Sequence, residues 1–234
     1  VTEAKKRPAK LKPAVQALAL TKIYSDFEAL APFELTVEKG ESLALVGHNG
    51  SGKSTLLRIL AGLLEPSSGD ARIYGHAAGS LRARRSVSFI PDNPVLYDDL
   101  SVREHVEYIS RLHGGAGYDD EAEALVESLG LTARIDDLPT TFSRGLRQRA
   151  AIIVALARPF DILLVDEPFV GLDASGKAAF LEQFRLATER GATVLVATHE
   201  EHYVERVSRC VALRDGVLIH DGEATPADVL ALVS

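Results

Sequence analysis

An α/β core with an inserted helical lobe is the fold class this sequence predicts, on three observations. Residues 43–57, LALVGHNGSGKSTLL, pass from an apolar run through a glycine-rich turn into apolar positions at helical spacing. That is the pattern of a buried strand feeding a helix. Asp161–Val165 and Thr193–Ala197 are largely apolar runs, as central parallel strands are. From Leu100 to Leu156 the pattern is helical and no obvious strand interrupts it.

The bulk properties suit this class. With 234 residues, 46% hydrophobic and 25% charged, the chain is long enough for one large domain or a core with a smaller lobe. Its longest apolar runs, such as Ala150–Ala157, fall far short of the ~18 residues a membrane span needs. The net charge of −7 argues against nucleic acid as a partner, because phosphate neutralisation needs a cationic surface. Cys210 is the only cysteine, which excludes an internal disulfide or a cysteine zinc site and suits a reducing cytoplasm. Val1–Pro13 carries five lysines and arginines and two prolines without an apolar core. It reads as a solvated arm, residues 1–14, with a membrane-surface basic patch as the alternative.

In chain order, Val15–Leu20 predicts a first strand and Phe33–Val37 a second, which turns at Lys39-Gly40 into the Leu43–Val46 strand. The helix after the glycine-rich turn ends near Gly62, before the turn cluster Glu65–Asp70. Ala71–Tyr74 and Val87–Ile90 read as short strands, and Pro91–Pro94 stops the second of them. Ser101–Glu104 has the capping-box form, with Val102, Val106 and Ile109 on one face behind it. Ala122, Leu125, Val126 and Leu129 form another amphipathic face, closed by Gly130. A third helix runs from Ser143 to Ala157, and a fourth from Ala174 to Arg190. Val211–Leu213 and Val217–Ile219 flank Asp215-Gly216, a hairpin signal. Thr225-Pro226 opens a last helix as N-cap and first helical residue.

The chemistry begins in the glycine-rich turn. Gly47, Gly52, Lys53 and Ser54 fit the phosphate-loop pattern G-x-x-x-x-G-K-[ST] without mismatch. Glycines let the backbone coil so that N–H groups converge on phosphate oxygens, and the helix opening near Lys53 adds its positive end. Lys53 reaches the β- and γ-phosphates in such a loop, while the Ser54 hydroxyl ligates Mg²⁺. Asp166 and Glu167 follow a buried strand, where strand ends meet the ligand crevice of an open α/β sheet. Asp166 suits the metal and Glu167 suits a base for the attacking water, against the plain reading of a polar strand end. Tyr24 is either an adenine platform or an edge-strand tyrosine.

Taken together, these stretches resemble the nucleotide-binding subunit of the ATP-binding cassette (ABC) transporter family, from about Val15 to the C-terminus. Gly47, His48, Asn49, Gly50, Ser51, Gly52, Lys53, Ser54 and Thr55 match the Walker A loop. Phe142–Arg149, with Ser143, Arg144 and Gly145 at its head, resembles the signature. Ile162–Pro168 matches Walker B, Gly171-Leu172-Asp173 the D-loop, and His199 the switch histidine. Tyr24 falls where the family places its adenine-stacking aromatic. The resemblance implies a P-loop NTPase (RecA-like) core with an antiparallel β subdomain, residues 15–92 and 158–234, and a helical subdomain, residues 93–157. It implies an ATPase using ATP and Mg²⁺, with His199 at the γ-phosphate. Two cassettes, identical copies or a paired second cassette, would sandwich two ATPs between Walker A and signature faces. An integral membrane permease would be a separate partner, with the cassette peripheral on the cytoplasmic face of the membrane.

Two departures stand out. Asp92 occupies the place of the usual glutamine, and it is shorter and a harder metal ligand. Arg144 and Leu146 replace a glycine and a glutamine of the signature, and Arg144 is either a cation near where phosphate should dock or a solvated helix start. The stretch Asp92–Val106 resembles export-type relatives. Competing readings are a non-transport cassette ATPase of DNA repair or translation and a phosphate-loop kinase. The first usually carries two cassettes or a coiled-coil insert, and the second has no use for a signature or switch histidine.

Overall fold

Two sheets share the strands in the computed structural model, which describes residues 12–223, 225, 227, 228 and 231. The larger sheet has the order β10 (Val217–Gly222), β9 (Arg209–Arg214), β3 (Ser42–Val46), β8 (Thr193–Ala197), β7 (Ile162–Asp166), β6 (Val87–Ile90). All neighbours in it are parallel except β9 and β10. The smaller, antiparallel sheet has the order β2 (Phe27–Val37), β1 (Val15–Tyr24), β4 (Ser68–Ile73), β5 (His76–Ala77).

The apolar runs that predicted buried strands alternate between two cores. Leu43, Leu45, Leu164, Leu195, Val211 and Leu213 face one cluster, with α1 (Lys53–Leu60) and the antiparallel sheet. Ala44, Val46, Leu163, Val165, Val194, Val196 and Ala212 face the other, with the helices. The two-residue period of a strand makes both faces apolar, which is why these runs show no polar alternation. Each fully buried leucine or valine contributes roughly 1.5–3 kcal/mol relative to exposure.

The helical block comprises α3 (Val102–Leu112), α4 (Asp120–Ser128) and α5 (Arg144–Leu156), with 3₁₀ turns at Thr132–Arg134 and Pro139–Thr141. Ser101 and Glu104 form the expected capping box, Asp119 caps α4, and Ser143 caps α5. Helix α6 (Ala174–Glu189) starts at the cap Asp173 and packs beside β8. The β9–β10 turn holds Asp215 at φ 47° and Gly216 at φ 78°, so both central residues are left-handed, as a tight hairpin turn requires.

Some expectations need correction. Ala14, assigned to the arm, is fully buried, and its carbonyl accepts from the Tyr74 N–H at 3.0 Å. Tyr74 itself is a turn residue at φ 48°, just beyond β4. β1 and β2 run further than expected, to a hairpin at Ser25-Asp26 that contains no glycine, since Ser25 itself takes φ 52°. Helix α2 (Leu81–Ser86) has no apolar period because Ala83 alone is buried in it, and α7 (Glu201–Val204) is a single turn. Residues 1–11 of the arm lie outside the described residues, as does Pro226 of the last helix. Thr225 accepts from the Asp228 N–H at 3.3 Å and donates to its carboxylate at 2.7 Å, in keeping with a cap.

Candidate functional site

The phosphate loop bridges β3 and α1 in a conformation that excludes side chains at two positions. A Cβ on Gly47, at φ 153°, would lie 2.2 Å from the Leu213 carbonyl oxygen. One on Gly52, at φ 104°, would lie 2.7 Å from that of Ala29. The loop is thus wedged between the β9–β10 hairpin and β2. Gly216 N–H donates to the Ser51 carbonyl at 3.1 Å, and His48 Nε2 lies 3.3 Å from the Asp215 carboxylate. Asn49 and Gly50 are exposed at the tip, Ser51 is buried, and Thr55 is half-buried in the first turn of α1.

Lys53 is buried, with Nζ donating to the carbonyls of Gly47 at 2.6 Å and His48 at 3.2 Å. Burial lowers its pKa, opposed by the carboxylates of Glu167 and Asp166. Nζ stands 3.8 Å from Glu167 Oε1. The Ser54 hydroxyl donates to Asp166 Oδ1 at 3.0 Å. Asp166 is fully buried, and its Oδ2 has no hydrogen-bond partner. Burial pushes this carboxyl upward, the Ser54 bond opposes the shift, and the charge of Asp92 adds to it. A buried carboxylate oxygen left unsatisfied beside a serine hydroxyl is a donor set for a hard cation.

Glu167 is next along, at φ 45°, a backbone cost of about 1–3 kcal/mol for a non-glycine residue. Its N–H continues the ladder onto the Ala197 carbonyl at 2.9 Å. Its Oε2 meets His199 Nδ1 at 2.9 Å. Burial raises its pKa, while His199 and Lys53 hold it back. Lys53, Ser54, Asp166, Glu167 and His199 therefore converge from the ends of β3, β7 and β8, with Asp92 following β6 close by. Asp92 accepts from Asn93 Nδ2 at 2.9 Å.

The other expected residues stand outside this cluster. Tyr24 ends β1, 41% exposed, with Lys22 Nζ 5.1 Å from its ring centre. Ser143 and Arg144 are exposed at the start of α5, and the Ser143 hydroxyl accepts from the Leu146 N–H at 3.4 Å. A Cβ on Gly145 would lie 2.6 Å from the Gly171 carbonyl, so this helix start touches the 171–173 turn. Asp173 caps α6 through the Gly176 N–H at 2.8 Å. Two contacts escaped the sequence reading: the Asp215-Gly216 turn against the phosphate loop, and Arg149 against Asp173. The first depends on β9 lying beside β3, which no local pattern encodes. The second has one signal, a glycine at position 176 inside a helix, where glycine is otherwise unfavourable.

Comparison with known proteins gives this arrangement its family. The family model described as ABC transporter matches residues 30–170. The chain is 31% identical to the SkfA peptide export ATP-binding protein SkfE of Bacillus subtilis (strain 168), covering 88% of each chain. It is 40% identical to the ABC transporter ATP-binding protein YbbA of Escherichia coli (strain K12), covering 82% of this chain and 89% of that one. The dimeric post-hydrolysis structure of the ATP-binding cassette MJ0796 with ADP and Pi superposes with a TM-score of 0.81 at 28% identity. That match covers 89% of this chain and 98% of the other. Among the described residues no helix is long and apolar enough to cross a membrane. The chain belongs to the ABC transporter family, as an ATP-binding cassette that hydrolyses ATP.

Proposed function

We propose that this cassette pairs with a second one, each ATP lying between the Lys53 loop of one copy and the Ser143 end of helix α5 of the other. The paired unit then drives a separate integral membrane permease. The observation that carries this reading is the exposed start of α5. Ser143 and Arg144 are open to solvent at the positive end of a 13-residue helix. Free N–H groups and the helix dipole favour an anion there, and Arg144 adds a charge.

Within each copy, Lys53 binds the β- and γ-phosphates, Tyr24 stacks on adenine, and His199 holds the γ-phosphate and the attacking water. Glu167 takes that water's proton, for which its raised pKa suits it. Ser54, Asp166 and Asp92 would hold Mg²⁺. Among the described residues no group of three or more His, Cys, Asp or Glu is placed to hold a metal ion by itself, so phosphate oxygens and water would complete the shell. When bound, Mg²⁺ neutralises charge building up on the phosphates. Asp173 faces the second cassette from the D-loop. Residues 93–157 form a helical subdomain that, with the Asp92–Leu100 loop, receives the permease on the cytoplasmic face of the membrane. The peptide-export role in the name of SkfE and the paired state of MJ0796 support this reading, with export as the direction.

The test uses Glu167→Gln, which should bind ATP while hydrolysing it far more slowly. With MgATP it should become dimeric by light scattering and co-purify with an integral membrane protein when expressed in its own host. A persistent monomer at high protein concentration would refute the sandwich.

A further inference from the structure

Arg149 ties together three helices at a point that the roles assigned above leave unused. Its side chain is 18% exposed. Nη1 donates to the carbonyl of Leu129, the C-cap of α4, at 3.1 Å. Nη2 donates to Asp173 Oδ1, the same oxygen that accepts from Gly176 N–H and from the Ser175 hydroxyl. Two glycines leave room for it. A Cβ on Gly130 would lie 3.0 Å from Nη1, and one on Gly176 would lie 3.0 Å from Nη2.

Arg149 also sits on α5, the helix whose start carries Ser143. The first turn of α5 already abuts the 171–173 turn at Gly145 and Gly171, where a Cβ would come within 2.6 Å of the carbonyl oxygen. Arg144 crosses the same turn, its Cγ 3.4 Å from where a Cβ on Gly171 would be. Helix α5 is thus held against this turn at two points, its first residues and the guanidinium more than a turn further on. Two separated contacts fix both its position and its rotation about its axis.

We infer that Arg149 is a positioning residue that locks the Ser143 helix and the Asp173 turn into one unit, so that both meet a second cassette in a fixed mutual arrangement. A charge-assisted contact shared with a helix cap suits this role, because losing it frees the cap and the helix together. The inference rests on the paired-cassette reading for its partner, but the lock itself belongs to a single chain.

The experiment therefore has two arms on the full-length protein. In the first, hydrogen exchange without nucleotide is followed over residues 170–180 in Arg149→Ala. Exchange should quicken by about tenfold or more, the usual effect of losing a hydrogen bond to a charged group. In the second, Arg149→Ala is placed in the Glu167→Gln background with MgATP. The dimer dissociation constant should rise by about tenfold or more, while ATP affinity of the monomer stays within about twofold. Arg149→Lys keeps a charge for Asp173 without the fork that reaches Leu129, and should fall between wild type and alanine. It decides the matter if the alanine variant does not fold. Unchanged exchange over 170–180 overturns the lock. Faster exchange with an unchanged dimer constant overturns its role toward the second cassette. If Glu167→Gln alone never dimerises, the paired reading and that role fall together, and the exchange arm still decides the lock.

Discussion

The Glu167 carboxylate and the His199 imidazole meet at 2.9 Å, although they are carried by separate strands and Glu167 sits in a left-handed backbone conformation. Register explains how. Asp166 pairs with Ala197, so the residues beyond both strands emerge side by side at one edge of the sheet. The turn at φ 45° aims Glu167 back toward Lys53 and His199, where an extended residue would continue along the strand.

From this follows a prediction for hydrolysis. Glu167→Gln keeps the shape and loses the base, so turnover should fall by ~10²–10⁴ while ATP binding is spared. In the wild type, burial raises the carboxyl's pKa, so the base is ionised only above the ordinary glutamate range. Activity should therefore fall as pH drops through that raised value, and the acid limb of the kcat profile should lie above where a solvent-exposed glutamate titrates. Phosphate release measured across pH checks both statements. Near-normal turnover in Glu167→Gln would remove the base assignment.

Asp92 gives a second prediction. It lies near enough to Asp166 for its charge to raise that residue's pKa, yet it sits at the start of the 92–100 loop leading to the helical block. On the proposed reading, a short, acceptor-only side chain in this place would link the charge of a bound metal to that loop. Asp92→Ala should leave ATP affinity within about threefold, because Lys53, Ser54 and Asp166 remain in place, and lower permease-coupled transport far more than basal ATPase. Transport and ATPase measured together in a reconstituted complex test this, and unchanged transport would count against the link.

Much of the fold could be read from the sequence because it is written in local patterns. The Leu43–Val46 and Thr193–Ala197 runs, the capping box at Ser101 and the cap at Ser143 each encode their element within a few residues. The phosphate loop was equally plain, since Gly47 and Gly52 are required by backbone crowding that leaves a fixed spacing behind. Relations between distant segments were not readable. Nothing near Asp215 announces that its turn braces the Ser51 carbonyl, because that depends on β9 adding beside β3. The β1–β2 hairpin hid for a different reason, since its turn uses serine where glycine or asparagine would have flagged it.

Cys210 carries a third prediction. It is 1% exposed in β9, and burial, with a smaller push from the Asp221 charge, moves its thiol up to about 11. The unfolded chain ionises this thiol at an ordinary pKa of ~8.5, so above that pH the unfolded state sheds a proton that the folded state keeps. The group's contribution is intact below the unfolded value and declines as pH rises toward 11. The urea midpoint of the wild type should therefore drop more between pH 8 and pH 10 than that of Cys210→Ala. A thiol reagent at pH 8 should label the native protein only at the rate at which it opens. Equal pH dependence in the two proteins would show that the thiol is not held neutral by the fold.

Gly176 supplies the last prediction, one of sign. It lies in the first turn of α6, where replacing glycine by alanine normally stabilises a helix by about 1 kcal/mol. Here the added Cβ would come 2.9 Å from Asp173 Oδ1 and 3.0 Å from Arg149 Nη2. Both are ends of side chains engaged in the same hydrogen-bonded cap, so neither can move aside without loosening it. Gly176→Ala should therefore lower the melting temperature of the wild type. In an Arg149→Ala background the guanidinium is gone and Asp173 is free to shift, so the helix preference of alanine is recovered and the same substitution should raise it. A double-mutant cycle by thermal unfolding measures this reversal. Stabilisation of the wild type by Gly176→Ala would mean that crowding by Arg149 is not what keeps a glycine at this position.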